Sequence, residues 1–90
     1  LEVWPITAKT KNEFIRIRGR LIGEEGKSRR IIEELTGVNM SVYGKTVSII
    51  GSFEDLKTAR KAIEMILEGA AHASVYKMLE RKRAMRRYDF

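Results

Sequence analysis

The sequence predicts an α+β domain in which helices cover a three-stranded antiparallel sheet. Short segments with alternating apolar residues are typical of strands, and apolar residues three or four positions apart are typical of helices. Along the chain these patterns give the order strand, helix, loop, helix, strand, strand, helix, followed by one extra C-terminal helix. Ninety residues suffice for one such domain with a modest core.

The composition excludes several classes of protein. Without cysteine there is no disulfide framework and no thiolate metal site, and a reducing, cytoplasmic setting is expected. The apolar runs are too short to span a membrane. A net charge of +6 favours an acidic polymer as partner, and much of the excess lies in residues 74–90, which carry six basic and two acidic residues.

The N-terminal part predicts a strand and a capped helix. Residues 1–4 form the predicted strand, which Pro5 ends. Thr10 and Glu13 have the spacing of a capping box, and apolar residues at helical spacing follow. A strand is the alternative, because apolar and basic residues alternate after the cap, although for only four residues. Gly19 costs the helix about 1 kcal/mol relative to alanine, which predicts close packing or a bend there.

A tight glycine loop, Gly23–Gly26, joins this helix to a second helix over residues 27–36, which Gly37 ends as a left-handed cap. Glycines at both ends let another backbone come close, and the helix start that follows offers unpaired N–H groups to an anion. Two arginines and a lysine follow within four residues. The combination predicts contact with a sugar–phosphate backbone.

The second half predicts a hairpin and a third helix. Residues 38–42 and 46–50 alternate about a short glycine turn. Ser52 caps the third helix, which Gly69 ends. Its predicted buried stripe consists of Leu56, Ala59, Ile63, Ile66 and Leu67.

The last helix is predicted to start with Ser74 as its cap. Val75 and Leu79 lie on one face, whereas basic residues occupy the others. We therefore expect this helix to dock through its first two turns and to project a basic end that contacts RNA backbone without sequence preference.

The segment around the glycine loop resembles the core of a KH domain, whose G-x-x-G loop clamps single-stranded nucleic acid. In that family, apolar residues follow the second glycine at the third and sixth positions, and Thr-Gly comes next. Ile32 and Thr36-Gly37 fit this pattern, and basic Arg29 departs from it. The resemblance implies a type I KH domain (β-α-α-β-β-α) over residues 1–70, with a basic helical extension over 71–90.

The resemblance also implies an RNA site made of the loop and an adjacent groove with aliphatic walls. Glu24 and Glu25 depart from the basic residue usual between the glycines, and each repels a phosphate by about 1 kcal/mol at an exposed site. The predicted RNA-binding residues are Arg20, Leu21, Ile22, Gly23, Glu24, Glu25, Gly26, Lys27, Ser28, Arg29, Arg30, Ile31, Met40, Val42, Arg83, Arg86 and Arg87.

Three details narrow the resemblance to the C-terminal KH domain of archaeal pre-ribosomal KH-repeat proteins, relatives of the eukaryotic partner of the NOB endonuclease. They are Arg29, the hairpin segment 41–47 and the start of the last helix, 72–81. Such proteins carry two KH domains, so this chain, which starts at Leu1, is expected to be part of a longer protein. The resemblance implies binding near the 3′ end of small-subunit rRNA, in maturation or assembly. The implied partners are a maturation endonuclease, an initiation or assembly factor and the N-terminal KH domain of the same protein, with no membrane.

Other functions are alternatives with less support. Trp4, Tyr43 and Tyr88 are candidates for stacking on bases, with core or sheet-edge positions as the alternative for the first two. No metal-ligand spacing and no cofactor motif is present, so neither an enzyme nor a cofactor is expected. The main rival is a protein-interaction module that kept the KH scaffold and lost RNA binding through its acidic loop.

Overall fold

A computed structural model describes the backbone of residues 1–87 and the side chains of residues 1–85, and its element order confirms the predicted one. Within that range no helix is long and apolar enough to cross a membrane. The elements are β1 (Glu2–Pro5), α1 (Lys11–Ile22), a 3-10 turn (Glu24–Gly26), α2 (Lys27–Thr36), β2 (Asn39–Tyr43), β3 (Thr46–Ile50), α3 (Phe53–Leu67) and α4 (His72–Arg87).

The sheet has β3 at its centre, paired antiparallel with β1 on one side and β2 on the other. Trp4 and Val42 both lie opposite Val47, so these three side chains form one row on the face that the helices cover. Trp4 packs against the core while half-buried, which matches the predicted sheet-edge position. Tyr43, at the end of edge strand β2, is 84% exposed.

The core fills the space between this face of the sheet and the four helices. In α3 the predicted stripe holds for Ala59, Ile63 and Ile66, but Leu67 is exposed and Ala62 is buried instead. At about 100° per residue, Ala62 lies about 40° from Ile66 on one side of these three residues, and Leu67 lies about 40° from Ile63 on the other side, at the last residue of the helix. The buried apolar residues are Ile6, Leu21, Ile32, Val38, Met40, Val47, Ile49, Ala59, Ala62, Ile63, Ile66, Val75 and Leu79.

The N-terminus of α1 has the predicted Thr10 cap, and Glu13 reaches back as expected, but to the residue before the cap. The Glu13 N–H donates to Thr10 Oγ1 at 3.1 Å, and the Glu13 carboxylate accepts from the Lys9 N–H at 3.2 Å. Because this cap stabilises the start of a helix, the residues after Thr10 form α1 and not the alternative strand. Of the two explanations predicted for Gly19, close packing is wrong, because a Cβ atom there would meet no atom within 4 Å, and a bend stays a prediction.

The connection from α2 to β2 is fixed by two side chains of α2. Thr36 Oγ1 donates to the Ile32 carbonyl at 2.6 Å and accepts from the Val38 N–H at 3.3 Å. Glu33 Oε2 accepts from the Met40 N–H at 2.9 Å. Gly37 between them has φ 86°, so the predicted left-handed cap is confirmed.

Helix α4 starts at His72, and the prediction of Ser74 as its cap is wrong. The Ala71 carbonyl accepts from the Ser74 and Val75 N–H groups at 3.0 and 3.2 Å, which places both residues inside the first turn. A tertiary contact explains the earlier start, since the His72 ring donates from Nε2 to the Arg20 carbonyl across 2.9 Å.

The predicted docking of α4 through its first two turns is confirmed. Val75 and Leu79 are fully buried, and α4 packs against α2 and α3. Residues 81–85 are exposed. The side chains of Arg86 and Arg87, and all of Tyr88, lie outside the described residues.

Candidate nucleic-acid interface

The Gly23–Gly26 loop makes a tight turn that depends on its first glycine. The Gly23 N–H donates to the Gly19 carbonyl at 2.7 Å, and the Gly26 N–H donates back to the Gly23 carbonyl at 3.2 Å. Gly23 has φ 78° and ψ 169°, and a Cβ atom there would lie 2.5 Å from the Ser28 backbone nitrogen. Only glycine accommodates both this backbone conformation and this contact.

Helix α2 begins directly after the loop with features that attract an anion. Its cap is Gly26, and among the described residues no side chain accepts a hydrogen bond from the first turn. The Lys27 N–H donates to the Glu24 carbonyl and the Ser28 nitrogen lies under Gly23, so this helix start attracts an anion mainly through the positive end of the helix dipole. Lys27, Arg29 and Arg30 are exposed around this helix start. Together they make this end of α2 suitable for a phosphate.

The two acidic residues of the loop oppose this attraction. Glu24 and Glu25 are both exposed, and Glu25 has a left-handed backbone with φ 54° and ψ 29°. Such a conformation costs a residue other than glycine about 1 kcal/mol. Because water and salt screen both carboxylates, they weaken anion binding at the loop without abolishing it.

A surface groove runs along α1 toward the loop, and we call it the α1 groove. It has a volume of about 530 Å³. Ile22 continues the same face of α1 to Gly23, because residues four and seven positions before it, Arg18 and Ile15, lie on that face. The lining residues are Phe14, Ile15, Arg18 and Gly19 on α1 and Gly44 and Lys45 on the β2–β3 turn.

Gly19 lies in the wall of this groove. Its missing side chain leaves open space, which accounts for a glycine inside a helix at a position without close packing. The groove therefore has apolar residues on its α1 side and a cation on each wall (Arg18 and Lys45), and its Gly19 end lies one helical turn before the loop.

The structure divides the predicted site residues into accessible and buried groups. Leu21 and Met40 belong to the core, with 0% and 3% of their surfaces exposed, so their prediction as groove residues is wrong. Leu21 and Ile22 are adjacent, so only one of them can lie on the face of α1 that packs against the core. Leu21 is in register with the rest of the apolar stripe and is therefore the buried one. Ile22, Ile31 and Val42 are half-buried and remain candidates for contact.

Ser28 is also unavailable to a ligand. It is 1% exposed, and its hydroxyl has no hydrogen-bond partner among the described residues. The side chain lies under Gly23, where a larger residue would push the loop outward. Ser28 therefore supports the loop, and its prediction as a contact residue is wrong.

Arg20 faces the end of α3, away from the groove. Its Nη1 donates to the Ile66 carbonyl at 3.1 Å, and its Nη2 donates to the Ala70 carbonyl. These carbonyls lie at and just after the end of α3; the Ile66 carbonyl also accepts from the Gly69 N–H at 3.1 Å, and the guanidinium adds a charged donor to both. These bonds hold α1 against α3 and give the predicted RNA contact of Arg20 no support, so that contact stays a prediction.

The structure does not bring the basic end of α4 together with the loop. Arg83 lies beside Leu35 at the opposite end of α2, about 14 Å along the helix axis from Gly26. The cations Lys77, Arg81, Lys82 and Arg83 of α4 are exposed, and of these Lys77 and Arg81 lie on one face.

The sequence prediction missed all six lining residues of the groove: Phe14, Ile15, Arg18, Gly19, Gly44 and Lys45. The spacing of Ile15, Arg18 and Ile22 on one helix face was available as a signal for part of this set. Lys45 was not predictable in the same way, because only the folded hairpin brings its turn opposite α1. Within residues 1–85 no three His, Asp or Glu side chains come together as ligands for a metal ion.

The comparisons with known proteins agree on one family. A family model described as a eukaryotic-type KH domain (KH-domain type I), that of the second KH domain of PNO1, matches residues 1–84. The chain belongs to this family. The match confirms the type I KH fold and includes most of α4.

Individual relatives agree with the family match. A KH domain-containing protein of Methanocaldococcus jannaschii is 57% identical over 76 residues, 84% of this chain and 34% of that protein. The pre-rRNA-processing protein PNO1 of Chaetomium thermophilum is 36% identical over 61 residues, 68% of this chain and 24% of that protein. A chain in the crystal structure of the a/eIF2alpha–aDim2p–rRNA complex from Pyrococcus horikoshii has a TM-score of 0.84 and 44% identity, and the match covers 92% of this chain and 46% of that one. The chain thus spans about a quarter to a third of these curated relatives and about half of the solved chain.

Proposed function

We propose that this KH domain binds single-stranded RNA in the α1 groove and at the Gly23–Gly26 loop. The observation that carries this proposal is the groove itself, which combines an apolar wall with Arg18 and Lys45 and ends at Gly19, one helical turn before the loop that leads into α2. Bases lie on the apolar side chains, and phosphates face the two cations and the α2 N-terminus. The site accommodates about four nucleotides, as is usual for KH domains.

We propose rRNA near the 3′ end of the small-subunit molecule as the natural ligand. The similar chain from Pyrococcus horikoshii was crystallised in a complex with rRNA, and the similar Chaetomium protein is named for pre-rRNA processing. In this proposal the chain is the second KH domain of a longer cytoplasmic protein. It binds and positions RNA, whereas a separate maturation endonuclease cuts it.

Helix α4 has a supporting and a binding part in this proposal. Its first two turns, anchored by Val75 and Leu79, support α2 and α3 as part of the same core. Its exposed cations, Arg83 among them, contact the backbone of RNA that extends beyond the groove, and they add affinity without sequence preference.

A protein-interaction module is the second candidate function. Glu24 and Glu25 favour it, because two exposed carboxylates stand where a phosphate would bind. The similar chain from Pyrococcus horikoshii also has a protein in its complex, a/eIF2alpha. A basic protein surface is the partner that such a loop fits.

Titration with nucleic acids tests the first proposal against the second. Short single-stranded RNAs of varied sequence and a duplex DNA of equal charge are compared at low and at physiological salt. We expect at least one RNA to bind more tightly than the duplex. Arg18→Gln with Lys45→Gln should weaken this binding, whereas Lys57→Gln with Lys61→Gln, the same charge change on exposed residues of α3, should not. Equal binding of all RNAs and the duplex would contradict the proposal.

A further inference from the structure

We infer that the bound RNA strand continues beyond the α1 groove into a second hollow at the N-terminus of α1. This hollow, which we call the lysine hollow, has a volume of about 540 Å³. That size lies within the range of about 300–1,000 Å³ typical of ligand sites. The inference rests on the proposed function. The lining residues are Ile6, Ala8, Lys9, Thr10, Lys11, Phe14 and Lys45.

The lysine hollow is continuous with the α1 groove. Phe14 and Lys45 line both, so a strand that leaves the groove along α1 passes directly between these two side chains. The Ile6 N–H donates to the Lys45 carbonyl at 2.7 Å and ties the β2–β3 turn to the segment before α1. The walls of the passage are therefore held at a fixed separation.

The charge of the hollow fits a polyanion. Lys9, Lys11 and Lys45 are exposed, and within the described part of the chain none of their side chains forms an ion pair. No acidic side chain lines the hollow. Glu13, the acidic residue in the first turn of α1, has its carboxylate engaged by the Lys9 backbone N–H. Three uncompensated cations around one hollow attract the phosphates of a continuing strand.

The floor of the hollow is suited to the base of a nucleotide. Ile6, Ala8 and the half-buried Phe14 give an apolar surface beneath the lysines. An aromatic ring flanked by cations is the combination with which proteins bind single-stranded nucleic acid irrespective of sequence, through stacking and charge. Outside the groove, then, the strand gains affinity from the lysine hollow without base selection.

The test compares RNAs of two lengths on two matched variants. The tightest four-nucleotide RNA is extended by three uridines at its 5′ or its 3′ end. Lys9→Gln with Lys11→Gln changes residues that line only the lysine hollow, and Lys57→Gln with Lys61→Gln is the control with equal charge. We expect one of the extensions to tighten binding to the wild type and to the control. In the hollow variant this gain should fall by about fivefold per lysine at ~0.1 M salt, with the four-nucleotide RNA affected much less.

Failure of this inference is distinguishable from failure of the proposed function. If the four-nucleotide RNA binds but neither extension adds affinity, or if the gain survives in the hollow variant, the lysine hollow is not an RNA site. If no RNA binds, the proposed function fails and the inference with it. An aspartate heptapeptide serves as the probe for the alternative. If it binds the wild type but not the hollow variant, while RNA binds both with equal affinity, the hollow is a site for an acidic protein segment.

Discussion

Gly23 lies so close to Ser28 that the loop requires glycine at its first position. A Cβ atom on Gly23 would lie 2.7 Å from the Ser28 Cβ, closer than two such atoms can approach. Gly26, at the other end of the loop, has φ 76°, but a Cβ atom there would meet no atom within 4 Å. The first glycine thus allows close packing, whereas the second only allows a left-handed backbone.

The two glycines should therefore respond differently to alanine. Gly23→Ala should lower the free energy of unfolding by about 3 kcal/mol, because a strained backbone and a clash are combined. Gly26→Ala should lower it by about 1 kcal/mol, the usual cost of a left-handed conformation. Urea unfolding measures both. Equal losses would contradict the close contact between Gly23 and Ser28.

The fold was largely predictable because local signals agreed with tertiary packing. Thr10 and Ser52 cap α1 and α3 as expected, and Gly37 takes the left-handed conformation that its position after α2 indicated. The start of α4 was not predictable, because Ser74 is a good cap by its chemistry alone. The contact of His72 with the Arg20 carbonyl, 52 residues away in sequence, moves the start upstream.

Arg20 should prove to be a structural residue. Arg20→Gln leaves the Ile66 and Ala70 carbonyls without their charged donor, and the free energy of unfolding should fall by about 2 kcal/mol. RNA affinity, measured under conditions where the variant is folded, should change little. Arg16→Gln, at an exposed position on the same helix, is the control and should affect neither quantity. A large loss of affinity with unchanged stability would instead place the Arg20 guanidinium on the RNA.

Gly19 allows stability and binding to be separated. Gly19→Ala should raise the free energy of unfolding by about 1 kcal/mol, because alanine favours the helix and its Cβ meets open space. Gly19→Leu should fold as well but fill the α1 groove and weaken RNA binding. Thermal unfolding and titration with the same RNA measure the two effects. Full affinity in the leucine variant would show that RNA does not enter the groove at Gly19.

The acidic pair in the loop should reduce RNA affinity. Replacing Glu24 and Glu25 by glutamine removes two charges beside the proposed phosphate position, and at low salt each charge corresponds to about 1 kcal/mol, or about fivefold in affinity. The gain should shrink as salt rises. A loss of affinity in this variant would mean that the carboxylates themselves contact the RNA, and no change would place the ligand away from the loop.

The site was less predictable than the fold, and particular residues show why. Sequence spacing identifies an apolar helix face but not which of two adjacent apolar residues faces inward, so Leu21 and Ile22 were both assigned to the groove. A basic residue beside a glycine loop is also ambiguous, and the Arg20 guanidinium binds backbone carbonyls at the end of α3, which only the folded chain brings near it. Lys45 is far from α1 in sequence, and only the β2–β3 hairpin brings it opposite Arg18.

The central claim is that RNA lies in the α1 groove and against the loop, and a chemical-shift map of the labelled protein with a bound four-nucleotide RNA tests it most directly. We predict the largest changes at the amides of Gly19, Ile22, Gly23, Gly26 and Lys45. The amides of Ser41 and Ser48, on the sheet face that the helices leave uncovered, should stay unchanged. Changes confined to that sheet face or to residues 77–83 of α4, with the amides of α1 and the loop unmoved, would contradict the account.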